Sequence, residues 1–186
     1  SMGVAIIGKL RQIPPEMMES MLGKNGNEIW RRANGIDLTP VFQYTERKSI
    51  STERTFDKDT TDVQHLRALM VSMVEKLAYE LRKKQKLTSC ITVKIRYSNF
   101  DTHTLQKRIE YTSFDHVLIP IAKELFDRLY QRRMLIRLVG VRFSHLVQGV
   151  QQLNMFEDSP EMVQLYLSMD RLRNRFGRNA VYRVVK

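Results

Sequence analysis

Between residues 47 and 147 the hydrophobic period of the chain switches in a fixed order: two, 3.6, two, two, 3.6, two. Few small folds accommodate that order. Arg47-Lys-Ser-Ile-Ser-Thr-Glu-Arg-Thr-Phe56 alternates as a strand does, and a helix from about Asp62 to Lys84 follows, with Leu66, Met70, Met73, Leu77 and Leu81 on one stripe and Thr61 as its cap. Two more alternating stretches, Thr88 to Phe100 and His103 to Phe114, are joined at Asn99-Phe-Asp-Thr102 in a hairpin-like link. A second helix runs through Val117, Ile121, Leu125 and Leu129, with Pro120 tolerated near its first turn, and a last strand covers Leu135 to Val147. The resulting β-α-β-β-α-β order defines an α+β domain in which two helices cover one face of a four-stranded sheet. Its other face is left bare.

Because successive side chains of a strand point to opposite faces, the composition of that bare face can be read by parity. In the last strand Val139, Val141 and Phe143 face the helices, which turns Gly140, Arg142 and Ser144 outward; a small residue beside an arginine and a hydroxyl suits close approach to a polyanion. Ile91, Val93, Ile95 and Tyr97 point inward, so Thr92, Lys94, Arg96 and Ser98 point outward. Ile109 and Tyr111 leave Gln106, Arg108, Glu110 and Thr112 outside, and Ile50 and Phe56 leave Ser49, Ser51, Glu53 and Thr55 outside. Hydroxyls and cations without stacking rings fit a duplex backbone, where contacts position a protein and carry little sequence information. They fit a merely solvated sheet equally well. A single-strand RNA reader of ferredoxin-like topology would carry a stacking signature of the form Lys/Arg-Gly-Phe/Tyr-Gly/Ala-Phe-Val-x-Phe/Tyr, which is missing; that reading and a protein-interaction module with a basic surface are the two rivals.

Charge narrows the choice of partner. With 31 Lys and Arg against 20 Asp and Glu in 186 residues, a net +11 favours an anionic partner. No run approaches the roughly 20 apolar residues of a membrane span, and no signal peptide is visible, which places the chain in the cytoplasm without membrane contact. The single cysteine, Cys90, excludes an internal disulfide framework, and its apolar run with inward parity reads as core. His65, His103, His116 and His145 show no paired metal spacing. Asp57, Asp59 and Asp62 form the nearest acidic grouping, in the loop entering the first helix, where capping and the helix dipole account for them without a metal.

Outside the central domain, residues 1–35 read as short helices, one opened by Pro14-Pro15 and ending near Gly23, another capped by Asn27 and ending at Asn34-Gly35, with Trp30 and Leu22 covering each other. Ser1-Met2 reads as a cloning remnant and the start as a continuation of a longer protein. Residues 36–46 lack helical periodicity and contain Pro40, as a tether does. Ser159-Pro-Glu161 starts a tail helix whose stripe, Met162, Leu165, Tyr166, Met169, Leu172 and Phe176, needs a partner surface. Arg171, Arg173, Arg175 and Arg178 read as a solvated helix face, and residues 179–186 look strand-like.

Arg47 to Phe56 after a tether, the βαββαβ order and Val139-Gly-Val-Arg-Phe-Ser144 together resemble the little finger domain of Y-family translesion DNA polymerases, in particular the bacterial DNA polymerase IV group. Gly26-Asn-Glu-Ile-Trp-Arg-Arg-Ala-Asn-Gly-Ile-Asp37 resembles the end of that family's thumb. The resemblance covers residues 4–156 and implies a sequence-independent grip on primer-template duplex in its major groove. Contacts would come from main-chain amides around Lys48, Ser49, Ile50 and Ser51 and from Arg137, Arg142 and Ser144, joined by Lys94, Arg96 and Arg108 of the parity reading. Arg137 falls on inward parity and needs a bulge or strand end to reach DNA, Leu138 stands where relatives often carry a base, and Glu53 is unfavourable beside phosphate unless it orients a neighbour such as Arg54. Residues 148–158 contain Gln151-Gln-Leu-Asn-Met-Phe156, similar to the peptide by which bacterial polymerases bind the sliding clamp, with Leu153, Met155 and Phe156 as apolar anchors and Gln152 as the orienting amide. A loop whose Leu and Phe cover the domain's own core would read the same. The resemblance further implies palm and fingers domains of the parent chain as partners, magnesium ions held by a palm absent here, no cofactor or catalytic residue in these residues, and a nucleoid-associated location in a bacterium.

Overall fold

Ser49–Thr60 (β1), Lys86–Tyr97 (β2), Thr102–Thr112 (β3) and Ile136–Ser144 (β4) form the sheet of the computed structural model, which describes residues 4–41, 46–131, 134–149 and 160–181. The strand order is β1-β4-β2-β3 with every neighbouring pair antiparallel. Both βαβ units are therefore split: β4 lies between β1 and β2, and β2 lies between β3 and β4. A fifth, two-residue strand, Val147–Gln148 (β5), pairs with Lys86 and Leu87 at the start of β2. The single strand expected over 135–147 thus divides at His145, which takes φ +53 and turns the chain out of the ladder.

Val63–Lys83 (α4) and Asp115–Leu129 (α5) pack on one face of this sheet. Leu66, Met70, Val74 and Leu77 of α4, with Leu118, Ala122, Leu125 and Phe126 of α5, close on Ile91, Val93, Ile95, Val139, Val141 and Phe143. Each of those large apolar side chains contributes on the order of 1.5–3 kcal/mol when removed from water. Asp62, not Thr61, caps α4, its carboxylate accepting from the His65 amide at 3.0 Å while Thr60 Oγ1 accepts from the Asp62 amide at 3.1 Å. Pro120 is the sixth residue of α5, one turn deeper than expected, on an exposed position where the lost donor disturbs no core contact.

Two compact units are present, residues 1–45 and 46–186. The first contains Ile7–Arg11 (α1), Pro15–Leu22 (α2) and Lys24–Ala33 (α3). Gly23, at φ +61, joins α2 to α3, so Asn27 lies inside α3 and does not cap it. The chain then continues without regular structure from 36 to 41.

The second unit ends in Pro160–Phe176 (α6), which stops at Gly177, φ +91. Its docked face differs from the expected stripe. Tyr166 and Arg173 are buried, whereas Leu165, Leu172 and Phe176 are exposed. Tyr166 stacks on Phe114 at 5.4 Å and its hydroxyl accepts from the His116 amide at 3.0 Å; Asp170 takes Arg82, and Tyr79 donates to Asn174. Arg173 does not belong to a solvated face: it donates to the Val181 carbonyl and lies over the Tyr79 ring. A one-turn 3₁₀ segment, 178–180, follows where a strand was expected, and 182–186 lie outside the described residues.

Candidate nucleic-acid interface

The ladder places the outward residues of four strands in a grid on the face that α4 and α5 leave bare. One row runs Ser49, Ser144, Cys90, Arg108; the next runs Ser51, Arg142, Thr92, Gln106; then Glu53, Gly140, Lys94, Thr104; then Thr55, Leu138, Arg96, Thr102. No aromatic ring stands at any of these positions. Cys90 thus has the parity of Thr92 and faces the open side, yet it is 1 % exposed, since Ser144 and Arg108 flank it on the adjacent strands. Its burial matches the expectation and its face does not. With Ile91 inward, alternation alone turns Cys90 outward, so its inward parity is a miscount; it is buried because outward positions in the middle of a sheet are shielded by longer neighbours.

The expected contact residues fall into two groups. At one end Lys48, Arg142, Ser144, Thr92 and Gln106 line a shallow polar depression. His145 joins them, a residue that sequence reasoning passed over; its only signal was its place directly after Ser144. Arg142, Arg108 and Lys48 are exposed and pair with no carboxylate among the described residues. Ser49 and Ser51 lie beside them on β1, an edge strand, whose outer main-chain amides have no ladder partner. Ile50 buries its side chain in the core at 8 % exposure, which leaves only its main chain to meet a ligand.

Toward the other end the cations are occupied. Both carboxylate oxygens of Glu53 accept from Lys94 Nζ, at 3.0 and 3.1 Å, so the partner of Glu53 is Lys94 two strands away, where Arg54 had been expected. Arg96 Nε donates to Thr102 Oγ1 at 2.8 Å. Arg137 is the extra residue where the β2–β4 register slips between Arg96 and Tyr97, a bulge that lifts it off the inward alternation its parity assigned. Its guanidinium lies 3.7 Å from Asp59 and 4.8 Å from the centre of the Phe100 ring, at the strand end away from the polar depression.

Asp59 is thereby committed to Arg137 and Asp62 to the cap of α4, and Asp57 is exposed. Among the described residues no group of three His, Cys, Asp or Glu could hold a metal ion. Nor, among those residues, is any helix long and apolar enough to cross a membrane. Gln152, Leu153, Met155 and Phe156 lie outside the described residues.

An open antiparallel sheet under two helices, entered by an edge strand of hydroxyls and closed by Val139-Gly-Val-Arg-Phe-Ser144, is the little finger architecture of Y-family polymerases. The chain belongs to the impB/mucB/samB family: the model of that family's C-terminal domain matches residues 47–155. Among curated relatives, proteins named DNA polymerase IV align along two thirds to nearly the whole of the chain. The one from Dehalococcoides mccartyi is 32% identical over 183 residues, 97% of this chain and 47% of its own length. That from Clostridium acetobutylicum is 30% identical over 187 residues, 98% and 47% respectively, and that from Streptococcus agalactiae 33% over 127 residues, 68% and 35%. The chain spans about half the length of the first two.

Proposed function

We propose that the open sheet face holds the sugar-phosphate backbone of duplex primer-template DNA for an error-prone translesion polymerase. The observation that carries this reading is the grid itself: its four rows present hydroxyls, an amide and cations, with Glu53 the one carboxylate and no aromatic ring, which suits phosphate contact and denies a single-strand reader its stacking platform. Main-chain amides from Lys48 to Ser51 along the β1 edge, with Arg142, Ser144 and Arg108, make the primary contacts. Lys94, Arg96 and Arg137 are secondary, since each already has a partner. Residues 4–35 act as the end of a thumb, and the palm and fingers of the whole protein supply the magnesium-dependent chemistry. Gln152, Leu153, Met155 and Phe156 dock on the bacterial sliding clamp, and the protein works in the cytoplasm at the nucleoid.

The test is a salt titration of the chain on mixed-sequence duplex. Affinity falls with salt by about 0.9 log units per neutralised phosphate, and Arg142→Ala flattens that slope by about 0.9 without creating sequence preference. Preference for single-stranded RNA, or a salt-independent response, would overturn the reading. In the same preparation, Leu153→Ala with Phe156→Ala abolishes clamp capture and leaves duplex binding intact; loss of both would show that the peptide is structural.

A further inference from the structure

The third row of the grid carries a device that the duplex reading does not require. Glu53 on β1 and Lys94 on β2 are separated by the whole width of β4, and the residue between them is Gly140. A Cβ built on Gly140 would stand 2.7 Å from Glu53 Cγ and 3.3 Å from its Cδ. The glutamate side chain therefore lies flat across the strand, over the one position in the row without a side chain, to deliver both oxygens to Lys94. The same glycine that suits close approach of a polyanion is occupied by the protein's own carboxylate.

A two-oxygen anion on the lysine of a DNA-facing sheet has the chemistry of a backbone phosphate. We propose that Glu53 is an internal surrogate for a DNA phosphate, which keeps Lys94 neutralised and confines the grip of the open face to the Lys48, Arg142 and Arg108 end. The inference rests on the duplex reading above. A phosphate reaching the middle row must displace Glu53 from Lys94 and then lie beside the displaced carboxylate, so that row adds little affinity. The result is a face that holds duplex from the end of the grid carrying Lys48, Arg142 and Arg108.

Fluorescence anisotropy of the whole chain on mixed-sequence duplex tests this. Glu53→Gln keeps the shape and removes the surrogate charge; its affinity at about 0.1 M salt rises about fivefold, and its salt slope steepens by about 0.9 as Lys94 takes up a phosphate. Lys94→Ala, which leaves the Glu53 carboxylate unpaired on the face, lowers affinity about fivefold, and the double variant with Glu53→Gln returns affinity and slope to near the native values. Without DNA, acylation of the Lys94 amine, followed by peptide mass spectrometry, accelerates in Glu53→Gln. It accelerates also in Gly140→Ala, where the new methyl displaces the glutamate with no change of charge. Native duplex binding with unchanged affinity and slope in Glu53→Gln overturns the surrogate role alone, as does an unaltered Lys94 reactivity. Absence of duplex binding by the native chain overturns the functional reading beneath it.

Discussion

At the end of α4 the Arg82 guanidinium donates to Asp170 through Nε at 2.7 Å and a terminal nitrogen at 3.1 Å, and its other terminal nitrogen reaches Asp115 at 3.0 Å and the Ser113 carbonyl at 2.8 Å. Burial opposes the charge, but Asp170 and Asp115 outweigh it and hold the arginine's pKa above its ordinary value. The Tyr166 ring lies 5.0 Å from the guanidinium carbon. Replacement by an isosteric apolar residue strands charge in a site that water hardly enters. Arg82→Met therefore lowers the stability of the second unit by about 3 kcal/mol in urea denaturation; a loss below about 1 kcal/mol would mean that the network is dispensable. Nothing in the sequence pointed to this arginine. It sits in the last turn of an amphipathic helix, where a basic residue satisfies the dipole, and its partners lie 33 and 88 positions away. Arg142 was legible by contrast, because its direction depends only on the alternation of its own strand.

Elements were legible in proportion to how local their causes are. The stripe of α4 and the alternation of β2 located both within a few residues, since burial of one face imposes the period. The junctions were less so. Asp62 and Thr61 both qualify as caps by residue type, and the direction of the carboxylate decides between them. His145 breaks the last strand because β5 must reach the start of β2, a demand made by tertiary pairing. The α2–α3 contact has a similar origin: Gly26 is buried in a helix that starts earlier than its sequence suggested, and a Cβ there would overlap the Met18 carbonyl oxygen. Gly26→Ala should raise helix propensity yet destabilise the first unit by about 2 kcal/mol. Trp30, the one tryptophan, sits in α3 and reports the change as a fluorescence transition at lower urea. A transition at higher urea would show that propensity outweighs the overlap.

For the whole molecule, the tail helix is part of the second compact unit, although the family match ends at 155. Its docking follows shape and charge more than its apolar stripe: Tyr166 fills the site beside Phe114 while Leu172 and Phe176 stay in water. Tyr166→Ala should cost about 3 kcal/mol in thermal or urea unfolding, and Leu172→Ala less than about 0.5 kcal/mol. Equal losses would restore the stripe expected from the sequence.

The order of elements, the identity of the core face and the ring-free composition of the opposite face were all determined by the sequence, because each follows from a repeat of two or 3.6 residues along the chain. Which cations of that face stay free was decided by the tertiary structure. Glu53 meets Lys94 across 41 positions, and Asp59 meets Arg137 across a bulge, only because β4 lies between β1 and β2. Charge pairing depends on distances of a few ångströms between strands remote in sequence, and those distances exist only once the strand order is set.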